Sequence, residues 1–138
     1  MLHKEQIIKI LEGLGFPTDQ YCLYSGTVLA MHGIREAGDI DMFVSRYFFE
    51  VLKKQEGWEY VLKKNDKEFL VKGDLDITSA TEFGSFTPTF AEILTGAEYV
   101  DGYPCMNLDM LIQLKKYLSR EKDVKDIRYI EEYRKNRQ

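Results

Sequence analysis

Cysteine and histidine are both scarce in this chain, and their placing removes several chemistries at once. Cys22 and Cys105 stand far apart, which excludes a close metal pair and a dense disulfide framework; both read as reduced thiols. His3 and His32 are also widely separated, and no Ser/His/Asp or Cys/His grouping surrounds either one. Covalent catalysis is therefore disfavoured. There is no glycine-rich Walker loop with its lysine and no dinucleotide-binding fingerprint. A basic excess is missing too: 19 Lys and Arg against 23 Asp and Glu leave a net charge of −4. That argues against holding long nucleic acid by non-specific charge, leaving local pairs such as Lys63-Lys64 and Lys115-Lys116 for any such contact. Long apolar runs are absent. The opening MLHKEQIIKILEGLG carries charges through its apolar positions and no small-residue cleavage site, so it reads as neither signal peptide nor membrane span. The expected setting is the cytoplasm, with no membrane partner.

What is present is an ordinary globular balance, 44% hydrophobic and 30% charged, in a chain of 138 residues. No repeat or low-complexity linker interrupts it. The expectation is one domain over 1–138, with a core at 21–78 and a helical C-terminal part at 107–136. Ile7, Ile8, Leu11 and Leu14 fall at helical spacing, and Gly15 supplies a stop. YCLYS reads as a short buried strand and TVLAMHG as a short helix. In DIDMFVS, alternation puts Ile40, Met42 and Val44 on one face and Asp39, Asp41 and Phe43 on the other. RYFFEVLKKQ reads as a helix ended by Gly57. WEYVLKKN and KEFLVKGDLDIT read as successive antiparallel strands turning at Asn65-Asp66. Ser79 to Pro88 is the most loop-like stretch, followed by a short helix at Phe90 to Leu94 and a strand or hairpin in EYVDGYPCMN. Asn107 is the predicted N-cap of LDMLIQLKKYLS, and Ser119 that of a last helix with an apolar stripe of Val124, Ile127 and Ile130. The fold class is mixed α/β (α+β).

Two acids one residue apart, Asp39 and Asp41, sit beside a run that otherwise reads as a buried strand. Residues two apart on a strand share a face, with Cα atoms about 6.5 Å apart. Carboxylates so placed converge on divalent ions, and two-metal phosphoryl sites space their ions roughly 3.5–4 Å apart. With no His or Cys nearby, oxygen ligands point to magnesium rather than zinc. Upstream, Ser25-Gly26-Thr27 joins a strand to a helix. Gly26 lets a ligand approach the backbone, the two hydroxyls add donors, and the helix start offers free N–H groups to a phosphate chain. Each feature alone is more readily a plain turn or a pair of solvent-facing acids. Their order, strand, GT turn, helix, then Asp-x-Asp, is the stronger signal.

SGTVLAMHGIREAGDIDMFV resembles the nucleotidyltransferase superfamily, and is similar to its minimal bacterial members, including antibiotic nucleotidyltransferases and abortive-infection toxins. These often read G-G-T-A-L, then G, R, a Ser or Thr, and D-I-D-L. Gly26, Thr27, Leu29, Gly33, Arg35, Asp39, Ile40 and Asp41 fall on that pattern; Ser25 stands where many members have Gly, and Ala37 where a hydroxyl residue often precedes the acids. LIQLKKYLSREKDVKDI is similar to the C-terminal helices of the same family through Lys115, Arg120, Lys122, Asp123 and Asp126. The resemblance implies a small mixed sheet flanked by helices, with the C-terminal helices closing a nucleotide side.

It also implies a third acid on a later strand, which would complete the catalytic metal and take the acceptor's proton. Asp74 and Asp76 in GDLDITS are the candidates. Asp76, bracketed by Leu75 and Ile77 as a strand interior, is preferred over Asp74, which follows Gly73. The implied reaction moves a nucleoside monophosphate from an NTP to an acceptor, releasing pyrophosphate. Two Mg²⁺ would sit on Asp39, Asp41 and Asp76, with Ser25, Gly26, Thr27, Arg35 and Lys115 binding the nucleotide. On pattern alone Lys115, at the margin of the face marked by Leu111, Leu114 and Leu118, is as readily a snorkelling lysine. Arg120 and Asp123 read mostly as capping and ion pairing. The acceptor is a small molecule, an RNA or a protein, and the short chain leaves room for a homodimer that completes its site. The alternative is a non-catalytic relative that binds nucleotide or a protein partner, such as a toxin or antitoxin component.

Overall fold

A computed structural model describes residues 1–137. Helix α1 (Lys4–Leu14) buries Ile7 and Leu11, and Gly15 ends it in the left-handed conformation, φ 61°, with its N–H donating to Leu11 O. Strand β1 (Tyr21–Leu23) leads through Ser25 into α2 (Gly26–Met31), and β2 (Ile40–Val44) follows. The Ser45 hydroxyl caps α3 (Arg46–Lys53) by accepting the Phe48 N–H. Next come β3 (Glu59–Lys63), a 3₁₀ turn, β4 (Lys67–Lys72), β5 (Leu75–Thr78), α4 (Phe90–Thr95), β6 (Glu98–Val100) and β7 (Tyr103–Cys105). Helices α5 (Leu108–Leu118) and α6 (Glu121–Asn136) finish the chain. None of the described helices is long and apolar enough to cross a membrane.

All seven strands join one mixed sheet in the order β3-β4-β5-β2-β1-β7-β6. The pairs β2–β5 and β1–β7 are parallel and the rest antiparallel. The fold is thus mixed α/β with C-terminal helices, as the sequence pattern predicts. A parallel pair needs a crossover. Here α3 and the β3–β4 hairpin supply it, so β5 returns beside β2. That return brings distant acids together. Central strand β2 is covered on both faces: Ile40, Met42 and Val44 are buried, and so is Phe43, which stacks on Tyr24 at 3.7 Å between ring centroids.

Four local expectations need correction. KEFLVKGDLDIT is two strands, because Gly73 at φ 57° turns the chain and leaves Asp74 exposed in the turn. Helix α3 stops at Lys53, capped by Lys54 before Gly57 is reached. Ser119 is not an N-cap: it ends α5 in the left-handed conformation, and Arg120 opens α6 with the Asp123 carboxylate accepting its N–H. The inward stripe of α6 is also different. Val124 is 53% exposed, and the buried residues are Asp123, Asp126 and Ile130. Two acids face inward because the buried Lys115, with Arg35 and Arg120 at the rim, meets them there.

Candidate metal and phosphate site

The Thr27 hydroxyl fastens the turn to the acids. It donates to Asp39 O at 3.0 Å and accepts the Asp41 N–H at 2.8 Å, and the residue is fully buried. Its oxygen is therefore committed to the backbone on both sides of Ile40, and it positions the Asp-x-Asp segment instead of facing a ligand. Ser25 remains free: its side chain makes no capping bond, and it borders an open cleft. Its backbone lies at φ 59°, ψ −139°, a region glycine favours and serine rarely enters.

Asp41 pairs directly with Asp76 across the parallel strands β2 and β5. Paired residues on neighbouring strands share a face, so both carboxylates point the same way. Asp39 joins them from the residue just before β2, and one oxygen from each of the three acids lies within 4.8 Å of the others. Asp74 is not part of the group; its carbonyl instead accepts the Ile40 N–H. One Asp76 oxygen, Oδ1, is buried without a partner, and the other accepts from Lys63 Nζ at 2.7 Å. Burial first, then Asp76 and Asp39, pushes the Asp41 carboxyl up to about 7. Three clustered carboxylates, one protonating near neutrality and one with an oxygen unsatisfied, form an oxygen-only donor set that fits a hard divalent cation.

A cleft of about 440 Å³ opens beside the acids, bounded by Ser25 and Gly26 on one side and by α5 and α6 on the other. Its basic wall holds Arg35, Lys115, Lys122 and Lys125. Arg35 is anchored: Nε and Nη2 each donate to the Asp126 carboxylate at 2.8 Å, and Nη1 donates to Glu36 O. A side chain at Gly26 would press on this guanidinium at 3.1 Å, so glycine here permits Arg35 to lie under the turn. Lys115, only 2% exposed, pairs with Asp126 at 2.9 Å and Asp123 at 3.2 Å. It does not snorkel to water. Burial works to raise Asp126, but hydrogen bonds from Arg35 and Lys115 outweigh it and hold the carboxyl below its ordinary range. Asp123 is lowered in the same way: burial opposes the shift and the Arg120 hydrogen bond leads those that produce it.

Arg35 and Lys115 thus border the cleft with their charges partly matched, whereas Lys122 and Lys125 carry no ion pair among the described residues. Lys125 and Tyr129 escape sequence reasoning. Their signal is the spacing of 122, 125 and 129 along one face of α6. A larger cleft of about 760 Å³ lies between α1, β6 and the end of α6. It has no cluster of three acids among the described residues, and of its cations Lys4 and Arg134 pair with Asp101 and Asp109 while Arg137 lies over the Tyr133 ring.

No protein-family model, curated protein or solved structure matches this sequence. What the site can do follows from its own atoms.

Proposed function

We propose that the protein is a magnesium-dependent nucleotidyltransferase that moves a nucleoside monophosphate from an NTP to an acceptor hydroxyl or phosphate. One observation carries the reading. Carboxylates from β2 and β5 converge next to an open cleft that has a Ser-Gly turn on one wall and lysines on the other. The resemblance of SGTVLAMHGIREAGDIDMFV to the superfamily agrees with it.

Asp39, Asp41 and Asp76 would hold the metal, which supplies charge neutralisation on the phosphates and on the attacking oxygen. The triphosphate lies in the cleft with its β,γ-phosphates at Ser25 and the Gly26 backbone. Lys122 and Lys125 neutralise it from α6, while Lys115 and Arg35 support that wall through Asp126. Thr27 holds Asp39 and Asp41 in register. Asp76 takes the proton of the acceptor hydroxyl, whose oxygen attacks the α-phosphorus. A new oxygen–phosphorus bond forms, the α–β bridge breaks, and pyrophosphate leaves with the electron pair. A non-catalytic binding domain is the second reading, favoured by one contact: Lys63 already occupies Asp76, the intended base.

The deciding experiment incubates the protein with Mg²⁺, each common α-labelled NTP and a cell extract. Labelled product is expected from the natural sequence and from Asp74→Asn, and none from Asp41→Asn or Asp76→Asn. Product that survives Asp41→Asn, or no NTP binding in calorimetry with Mg²⁺, overturns the proposal.

A further inference from the structure

We infer that Lys63 is an exchangeable counter-ion for the acidic cluster, whose ammonium competes with a divalent cation for Asp76 and gives way when one binds. The inference rests on the metal reading given above. Lys63 ends the edge strand β3, two strands away from β5. The register runs Lys63 opposite Lys67, Phe69 opposite Thr78 and Val71 opposite Asp76. Lys63, Phe69 and Asp76 therefore share one face of the sheet. The lysine stem crosses β4 so that its ammonium stands 4.1 Å from the Phe69 ring centroid and 2.7 Å from Asp76 Oδ2.

Three carboxylates with oxygens inside 4.8 Å repel one another, and Lys63 offsets part of that repulsion. A metal ion on Asp76, whether through the unpartnered Oδ1 or the Oδ2 that Lys63 holds, would stand close to the ammonium, so the two cations repel and compete for the carboxylate. Lys63 can leave at little cost. Its side chain is 41% exposed, against 2% for Lys115, which is locked between two buried acids. The ammonium already stands over the Phe69 ring, a contact that does not depend on Asp76. Lys115 is thus a fixed structural charge and Lys63 a movable one. Metal affinity in this protein is set by a lysine on a different strand from any ligand.

The test is Mn²⁺ binding to the purified full chain without nucleotide, read by electron paramagnetic resonance. Lys63→Met keeps the stem over Phe69 and removes the charge; Lys63→Arg keeps the charge. Lys63→Met should tighten Mn²⁺ binding roughly tenfold, the size expected for losing one like-charge contact in a partly exposed site. Lys63→Arg should stay near the natural protein. In an Asp76→Asn background the Lys63→Met change should have no effect. Equal or weaker Mn²⁺ binding by Lys63→Met overturns the inference alone, as does an effect that persists without Asp76. Absence of Mn²⁺ binding in every variant overturns the inference together with the metal reading.

Discussion

Asp41 and Asp76 stand opposite each other on two parallel strands that the chain reaches only after a helix and a hairpin have intervened. Their meeting depends on register. Because side chains alternate along a strand, a slip of one residue in β5 would turn Asp76 to the far face of the sheet. Leu75 and Ile77, buried on that far face, oppose such a slip.

The crowding of these acids makes stability depend on pH. In the unfolded chain Asp41 ionises near its ordinary 3.8, whereas burial and its acidic neighbours hold the folded carboxyl up to about 7. As pH rises through that window the unfolded state loses its proton first, so the native state loses stability. Asp41→Asn should therefore stabilise the metal-free protein at about pH 8, by up to ~4 kcal/mol, and change it little at about pH 4. Thermal melts at both values check this. An equal effect at the two pH values would contradict the buried-acid account.

Ser25 carries a backbone conformation that suits glycine, without a capping bond to recover the strain. Ser25→Gly should raise stability by about 1 kcal/mol. If the hydroxyl contacts phosphate, the same change should weaken NTP binding. Melting temperature and calorimetric affinity would then move in opposite directions, and a destabilised Ser25→Gly protein would refute the strain.

Lys115 is the buried hub between α5 and α6. Lys115→Met should cost roughly 3–5 kcal/mol, because Asp123 and Asp126 lose a buried partner that Arg120 and Arg35 replace only in part. Urea unfolding measures it. A loss below about 1 kcal/mol would show that the two arginines suffice.

The helix stripe of α1, the turn at Ser25-Gly26, the Asp-x-Asp strand and the Asn107 cap were legible in the residues because each depends on neighbours in sequence. Local pattern misleads where a residue has a distant partner. Asp123 and Asp126 lie four residues before Ile127 and Ile130, on the face those apolar residues mark, and they can be buried there because Lys115, Arg35 and Arg120 meet them. Thr27 reads as a phosphate donor, and only the approach of β2 commits its hydroxyl to Asp39 and Asp41.

The amino-acid order alone determined most of the helices and strands, and that Asp39 and Asp41 would stand together at the start of β2, since period and turn chemistry act within a few residues. Tertiary structure chose Asp76 over Asp74, laid Lys63 across β4 and buried Lys115. Those choices depend on strand register and helix docking, which are set by the whole core packing at once.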